Sequence, residues 1–235
     1  MKKHLFFLYQ LPLYLFVFGG CILIAVFSSR TATVMAEHAP VEDRICIVID
    51  AGHGGEDGGA VSCSGVYESS INLQIALRLD DLLHFLGYET KMIRTDDVSV
   101  YTDGNTIAAR KISDLKNRTE IINNTAKAYL VSIHQNSFPQ SQYTGAQVFY
   151  NSSPSARELA GKIQETMVTA LNPGSNRKVK KATGIYLMEH IHCPGILIEC
   201  GFISNPVEEA KLKTEHYQRK ICCAIASPLT SFLES

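Results

Sequence analysis

Ile45-Cys46-Ile47-Val48-Ile49-Asp50-Ala51-Gly52-His53 is an apolar run that closes on a small, polar turn and ends on a histidine. Tyr129-Leu130-Val131-Ser132-Ile133-His134 repeats the pattern, and Gly195-Ile196-Leu197-Ile198-Glu199 repeats it with a carboxylate in the last place. Short β-branched runs bounded by glycine read as strands. Between them lie helix-period segments. Over 70–86, Ile71, Ile75, Leu79, Leu82, Leu83 and Leu86 share one face, with Ser69 or Ser70 as cap and Gly87 as stop. Residues 114–127 and 155–171 also read as helices, and a C-terminal helix is expected from Pro206, broken or kinked at Pro228. Further strands are expected at 88–94, 146–150 and 185–188, and 95–110 reads as a polar surface excursion. Strands alternating with helices give an α/β fold class with a mostly parallel sheet. Such sheets gather their chemistry at the carboxyl edge of the strands, where residues distant in sequence converge.

Around that core the chain divides into a 1–36 signal or anchor segment, a 37–43 linker and a single domain over 44–235. The hydrophobic run 5–27 follows Lys2 and Lys3 and is long enough to cross a bilayer, while Val34-Met35-Ala36 offers a cleavage site. Anchored or cleaved, the domain is exported. Residues 37–235 hold 19 basic and 23 acidic residues, a balance of −4 that excludes a nucleic-acid binder. Arg177-Lys178-Val179-Lys180-Lys181 is the one basic cluster, readable as a solvated loop or as a contact for an acidic substrate. The seven cysteines are irregularly spaced and odd in number, so they form no disulfide framework.

His53, Glu68 and His134 make up a His₂Glu set, one of the standard donor sets of catalytic zinc, which leaves a fourth position for water. A single histidine after a strand is ordinarily structural. Two in matching contexts, with an acid opening the next helix, point to a metal. Asp50 and Asp57 compete as ligands, and Asp50 is also placed to orient an imidazole. Glu199 ends an apolar strand, an expensive place for a carboxylate. Its functional reading is general base, and the alternative is a buried salt bridge. Cys200 lacks a spaced partner base, His190 and His192 fall in an expected loop, and His84 sits on the polar side of a helix. The run from Gly52 to Gly59 has neither a dinucleotide fingerprint nor a P-loop ending, and its Glu56 and Asp57 would repel phosphate.

Ile49-Asp50-Ala51-Gly52-His53-Gly54-Gly55, Glu68, Ser132–Ser137 and Ile198–Pro206 together resemble, in order and spacing, the zinc-dependent N-acetylmuramoyl-L-alanine amidases of bacterial cell walls. The resemblance covers 44–233 and implies a doubly wound domain around a six-stranded sheet. It implies one Zn²⁺ per chain on His53, Glu68 and His134, a catalytic Glu199, and a cut at the amide between the muramic lactyl group and L-alanine. Asn136 and Asn205 fall in family motifs and are expected to shape the substrate groove, whereas Arg118 and Asn123 match a family helix and are expected to be structural. Glu68-Ser69-Ser70 departs from the family's frequent Glu-Lys-Asp, and Ser137 from its alanine, without touching a ligand. The sequence contains no wall-anchoring repeat. This minimal form is similar to the germination-specific amidases of spore formers, which implies a cortex peptidoglycan substrate and a polysaccharide deacetylase as functional partner in making muramic-δ-lactam. A minimal domain without wall-binding repeats also leaves room for an activating accessory protein. The rival readings are a vegetative autolysin, a wall-binding module without catalysis, and a zinc deacetylase of wall sugars.

Overall fold

The computed structural model describes residues 44–235; the expected signal or anchor segment and the 37–43 linker lie outside the described residues. Six strands form one sheet: β1 (Cys46–Ala51), β2 (Glu89–Met92), β3 (Ala128–Asn136), β4 (Gln147–Tyr150), β5 (Lys180–Lys181) and β6 (Gly195–Phe202). Their order is β2-β1-β3-β6-β4-β5, and every pairing is parallel except β4 with β6. Six helices cover it: α1 (Glu68–Phe85), α2 (Ile107–Asn123), α3 (Pro154–Leu171), α4 (Tyr186–His190), α5 (Pro206–Leu212) and α6 (Glu215–Leu233). This is the α/β architecture that the alternating pattern implies.

Side-chain alternation splits each central strand between two cores. Ile47, Ile49, Val131, Ile133, Ile196 and Ile198 pack with α1, α3 and α6, whereas Val48, Leu130 and Leu197 pack with α2 and α4. Each fully buried aliphatic side chain contributes roughly 1.5–3 kcal/mol, so β1 is anchored from both faces. Among the described residues no helix is long and apolar enough to cross a membrane.

Several element boundaries differ from the expectations, for local reasons. Helix α1 begins at Glu68, so neither Ser69 nor Ser70 caps it. Its first amides are instead taken by loop carbonyls: Glu68 N donates to Ala60 O at 2.8 Å and Ser69 N to Gly58 O at 3.0 Å. Helix α2 starts at Ile107, seven residues early, because the Thr106 hydroxyl accepts from Ala109 N at 3.1 Å and caps it. The segment expected as a strand over 185–188 is helix α4, a single turn entered through Gly184 at φ 72°. Leu187 and Met188 then face the α2 core, which a strand could not do with both. The expected C-terminal helix is two, divided where Thr214 caps α6 by accepting from Tyr217 N at 3.3 Å. Helix α6 runs through Pro228 to Leu233 rather than ending there.

Candidate metal centre and catalytic residues

The carboxyl edge of β1, β3 and β6 carries His53, His134 and Glu199. His134 on β3 and Glu199 on β6 are register partners, so their side chains share one face of the sheet. The β1–β3 ladder extends one residue past the strand through Gly52 N to Ile133 O at 3.0 Å. Glycine is obligatory at this position: a Cβ on residue 52 would lie 2.2 Å from the His134 ring. The chain then turns at His53, whose φ of 61° is rare for a residue with a side chain. Two contacts hold it there. Arg118 Nη2 donates to His53 O at 2.7 Å, and Asp57 Oδ2 lies 2.8 Å from His53 Nδ1.

Glu68 sits at the first turn of α1 between the two imidazoles. Its Oε1 is 3.0 Å from His134 Nδ1 and its Oε2 is 3.4 Å from His53 Nε2. Backbone amides brace both oxygens, Gln135 N at 3.1 Å on Oε1 and Ala60 N at 3.0 Å on Oε2. Asn72, one helical turn along α1, donates to Oε1 at 3.1 Å and to Gly52 O at 3.1 Å, and itself accepts from Gln135 Nε2. One donor atom from each of His53, Glu68 and His134 lies within 4.8 Å of the others, the one such cluster among the described residues. Gly59 makes room for it, because a Cβ there would meet Glu68 Oε2 and His53 Cδ2 at 2.7 Å. The donor chemistry, the spacing and this cradle all fit a divalent metal.

The electrostatics follow from the crowding. Burial opposes the Glu68 charge, yet its bonds to His134 and His53 hold the carboxyl far below the usual range. Burial likewise opposes a charged His53, but Asp57 and Glu68 raise its pKa to about 9. Protons and a cation therefore compete for the same nitrogen. Asp57 is held well below its ordinary value, against its burial, by His53 and by Lys111, whose Nζ is 3.2 Å from Oδ1.

Glu199 is the exception. Its Oε2 is buried and has no hydrogen-bond partner among the described residues, which excludes the salt-bridge reading. Burial raises its pKa to about 7; the His134 imidazole opposes this, the Glu68 charge adds to it, and His53 opposes. A carboxyl poised near neutrality beside a metal-type cluster is the property expected of a general acid–base.

The competition between Asp50 and Asp57 resolves in an unexpected way. Asp57 orients the imidazole, while Asp50 is bound to Arg118 Nη1 at 2.5 Å and to the Ser132 hydroxyl at 2.7 Å. Arg118, 2% exposed, also binds Asp114 at 2.6 Å. Arg94 escaped the sequence reading altogether. It is buried and donates to the carbonyls of Ala51, Gly52, Ser69 and Asp96, tying the end of β1 to the start of α1. Asn205 caps α5 through Val207 N and Glu208 N, both at 3.0 Å, and holds Ser141 O at 2.6 Å, so both ends of its side chain are committed. Asn136 is the last residue of β3, and its carbonyl accepts from Ile203 N at 2.8 Å. Asn123 joins α2 to the segment after α4, accepting from His192 N at 2.8 Å and donating to His190 O at 3.2 Å, as its structural reading requires. His190 lies in α4 rather than a loop, with its ring stacked on Tyr186 at 3.9 Å. A cavity of about 240 Å³ opens beside the cluster, lined by His53, His134, Asp57, Lys111 and the α4 residues Tyr186 and Leu187.

An α/β sheet with imidazole and carboxylate donors at its carboxyl edge defines a metallohydrolase-like centre. The chain belongs to the N-acetylmuramoyl-L-alanine amidase family (Amidase_3), which it matches over residues 47–231. It is 34% identical to the germination-specific N-acetylmuramoyl-L-alanine amidase of Bacillus subtilis (strain 168), with 89% of this chain and 90% of that one covered. Among solved structures it is similar to the CwlD amidase from Clostridioides difficile in complex with the GerS lipoprotein, at TM-score 0.78 and 40% identity over 81% of this chain and 99% of that one. It is also similar to an N-acetylmuramoyl-L-alanine amidase from Clostridium difficile 630, at TM-score 0.71 and 31% identity over 82% of this chain and 98% of that one.

Proposed function

We propose that this protein is a zinc-dependent N-acetylmuramoyl-L-alanine amidase that removes stem peptides from spore-cortex peptidoglycan. The observation that carries the reading is the buried, unpartnered Glu199 Oε2 beside the His53–Glu68–His134 cluster. His53, Glu68 and His134 would hold one Zn²⁺, which supplies Lewis acidity toward the scissile carbonyl and lowers the pKa of water to about 7. Glu199 takes a proton from the attacking water at Oε2. It returns that proton to the departing nitrogen, so the products are a lactyl carboxylate and a free L-alanine amine. Asp57 holds the Nδ1 proton of His53 and leaves Nε2 directed at Glu68 and the metal position. Arg118 and Arg94 fix the backbone of the turn that carries His53.

Likeness to a germination-specific amidase supports the cortex substrate and, with it, a deacetylase acting next to form muramic-δ-lactam. The GerS complex of the similar CwlD supports an accessory lipoprotein as partner. On this reading residues 1–36 direct export and 44–235 form the catalytic domain, and the enzyme, anchored or secreted, works outside the cytoplasmic membrane in the forespore intermembrane or cortex space.

The test is to incubate the purified chain with cortex and vegetative peptidoglycan, with zinc and with chelator, and to identify products by mass spectrometry. Zinc-dependent release of intact stem peptides with a free L-alanine terminus is expected, faster from cortex. Release of acetate instead would make the enzyme a deacetylase, and equal rates on both walls would remove the spore assignment. In the Asp57→Asn variant the imidazole loses its carboxylate partner, and zinc affinity is expected to fall about 10–100-fold. Competition with a chromophoric chelator measures this directly; unchanged affinity would leave Asp57 as a surface charge only.

A further inference from the structure

The basic cluster 177–181 has no part in the chemistry above, yet it borders a groove of about 1090 Å³ between α3, α5 and β5. Arg177, Lys178, Lys180 and Lys211 line it. The three lysines are exposed and have no ion-pair partner among the described residues. The one acid in the lining, Glu208, is spent on the backbone: its Oε1 accepts from Gly145 N at 2.9 Å and its Oε2 from Phe202 N at 2.7 Å. Four cations against this one carboxylate leave the groove with net positive charge in a concave setting, where field lines concentrate.

Its position relates it to the metal cluster. Gln147, which lines the groove, is the register partner of Glu199, which is in turn the register partner of His134. With strands about 4.8 Å apart, the Gln147 backbone lies one strand from that of Glu199 and about 10 Å from that of His134. An aromatic stack braces Arg177 at the groove. Arg177 Cζ sits 4.6 Å over the Phe202 ring, which stacks on Tyr143 at 6.1 Å. An extended peptide covers about 3.3–3.6 Å per residue, so about three residues span that separation.

We propose that this groove is the subsite for the carboxylate-bearing stem peptide, with Lys178, Lys180 and Lys211 as its anion-binding side chains. The proposal rests on the amidase reading for its occupant: stem peptides carry free carboxylates on their acidic second residue, on the diamino acid and at the C-terminus. The lysines select acidic stems by charge, and Arg177, braced by Thr144 O at 2.8 Å, sets the groove's inner wall.

Binding is measured so that turnover plays no part. The full-length Glu199→Gln chain is titrated calorimetrically with N-acetylmuramoyl-L-Ala-D-Glu-diaminopimelate and with the same compound fully amidated. The acidic probe is expected to bind more tightly, and its affinity to fall as salt rises from about 50 to 200 mM. Adding Lys178→Gln, Lys180→Gln and Lys211→Gln is expected to weaken the acidic probe roughly tenfold, and the amidated probe at least fivefold less, since each exposed charge pair is worth a few-fold. The single Lys211→Glu, on α5, is expected to act in the same direction and serves where the triple variant folds poorly. Equal affinity for both probes, or equal weakening of both, would overturn the proposal. So would binding of inorganic phosphate or of phosphatidylglycerol vesicles in place of the acidic probe. If wild-type chain releases no peptide while the charge-dependent binding stands, the amidase reading fails and the groove survives.

Discussion

Glu199→Gln is expected to leave zinc bound and to lower stem-peptide release by roughly 10²–10⁴-fold, the usual worth of a general acid–base. The substitution keeps the size of the side chain and removes the atom that can accept a proton. Nothing else depends on that oxygen, because Oε2 has no hydrogen-bond partner among the described residues. Folding should therefore be unharmed, and an uncharged amide suits the buried position as well as the carboxyl does. Metal content by atomic emission and initial rates on the same preparation read the two effects separately. His134→Ala should behave in the opposite sense, losing the metal first and activity as a consequence, because it removes one of only three donors. A Glu199→Gln chain with unchanged turnover would take the residue out of the mechanism. A His134→Ala chain with full metal content would dissolve the proposed ligand set.

The two variants separate because the site is built from two kinds of position, and these were unequally legible in the sequence. Strand-terminal residues could be read directly. An apolar run ending in His53, His134 or Glu199 announces both the strand and the edge on which its last side chain lies. The order of the strands was not legible, since period-2 patterning carries no information about neighbours. That Glu199 shares a register position with His134 and with Gln147 is a property of the β3-β6-β4 order alone. Helix α4 was misread as a strand because Ile185-Tyr186-Leu187-Met188 is too short for either period to declare itself, and its state is set by packing on α2. Arg94 escaped for a different reason, and Arg118 was readable only through the family resemblance, as a structural residue. Arg94 and Arg118 bond mainly to backbone carbonyls and to acids far along the chain, and no spacing rule marks such a residue. The one local signal was Asp114-to-Arg118, an i, i+4 pair on α2, which reads from sequence as an ordinary surface salt bridge.

That pair leads to the second large effect. Arg118→Met is expected to destabilise the fold by about 3–5 kcal/mol, since removing one partner of a buried ion pair strands the other. For a domain of this size the loss corresponds to roughly 6–20 °C in Tm. Arg118 and Asp50 are 2% and 1% exposed, so water cannot replace the lost contact. The pH dependence fixes the cause. In the wild type burial would raise the Asp50 pKa, but the Arg118 charge, with help from His134 and Ser132, holds it below the ordinary value. Its contribution is then present above the unfolded pKa of about 3.9 and is lost as the pH falls through the depressed folded value. In the variant the same burial acts unopposed by the guanidinium, and the Asp50 pKa moves above its unfolded value. The folded variant now binds the extra proton, so its stability rises as the pH falls through that raised value. The gap between the two proteins should therefore be widest at neutral pH and narrow toward pH 4, as measured by urea midpoints across that range. A gap that stays constant with pH would assign the loss to packing of the side-chain stem instead. Because Arg118 also holds the His53 carbonyl, the variant's zinc affinity should fall even where it is fully folded. The buried ion pair then serves the site as well as the fold, by holding the left-handed turn on which His53 is presented.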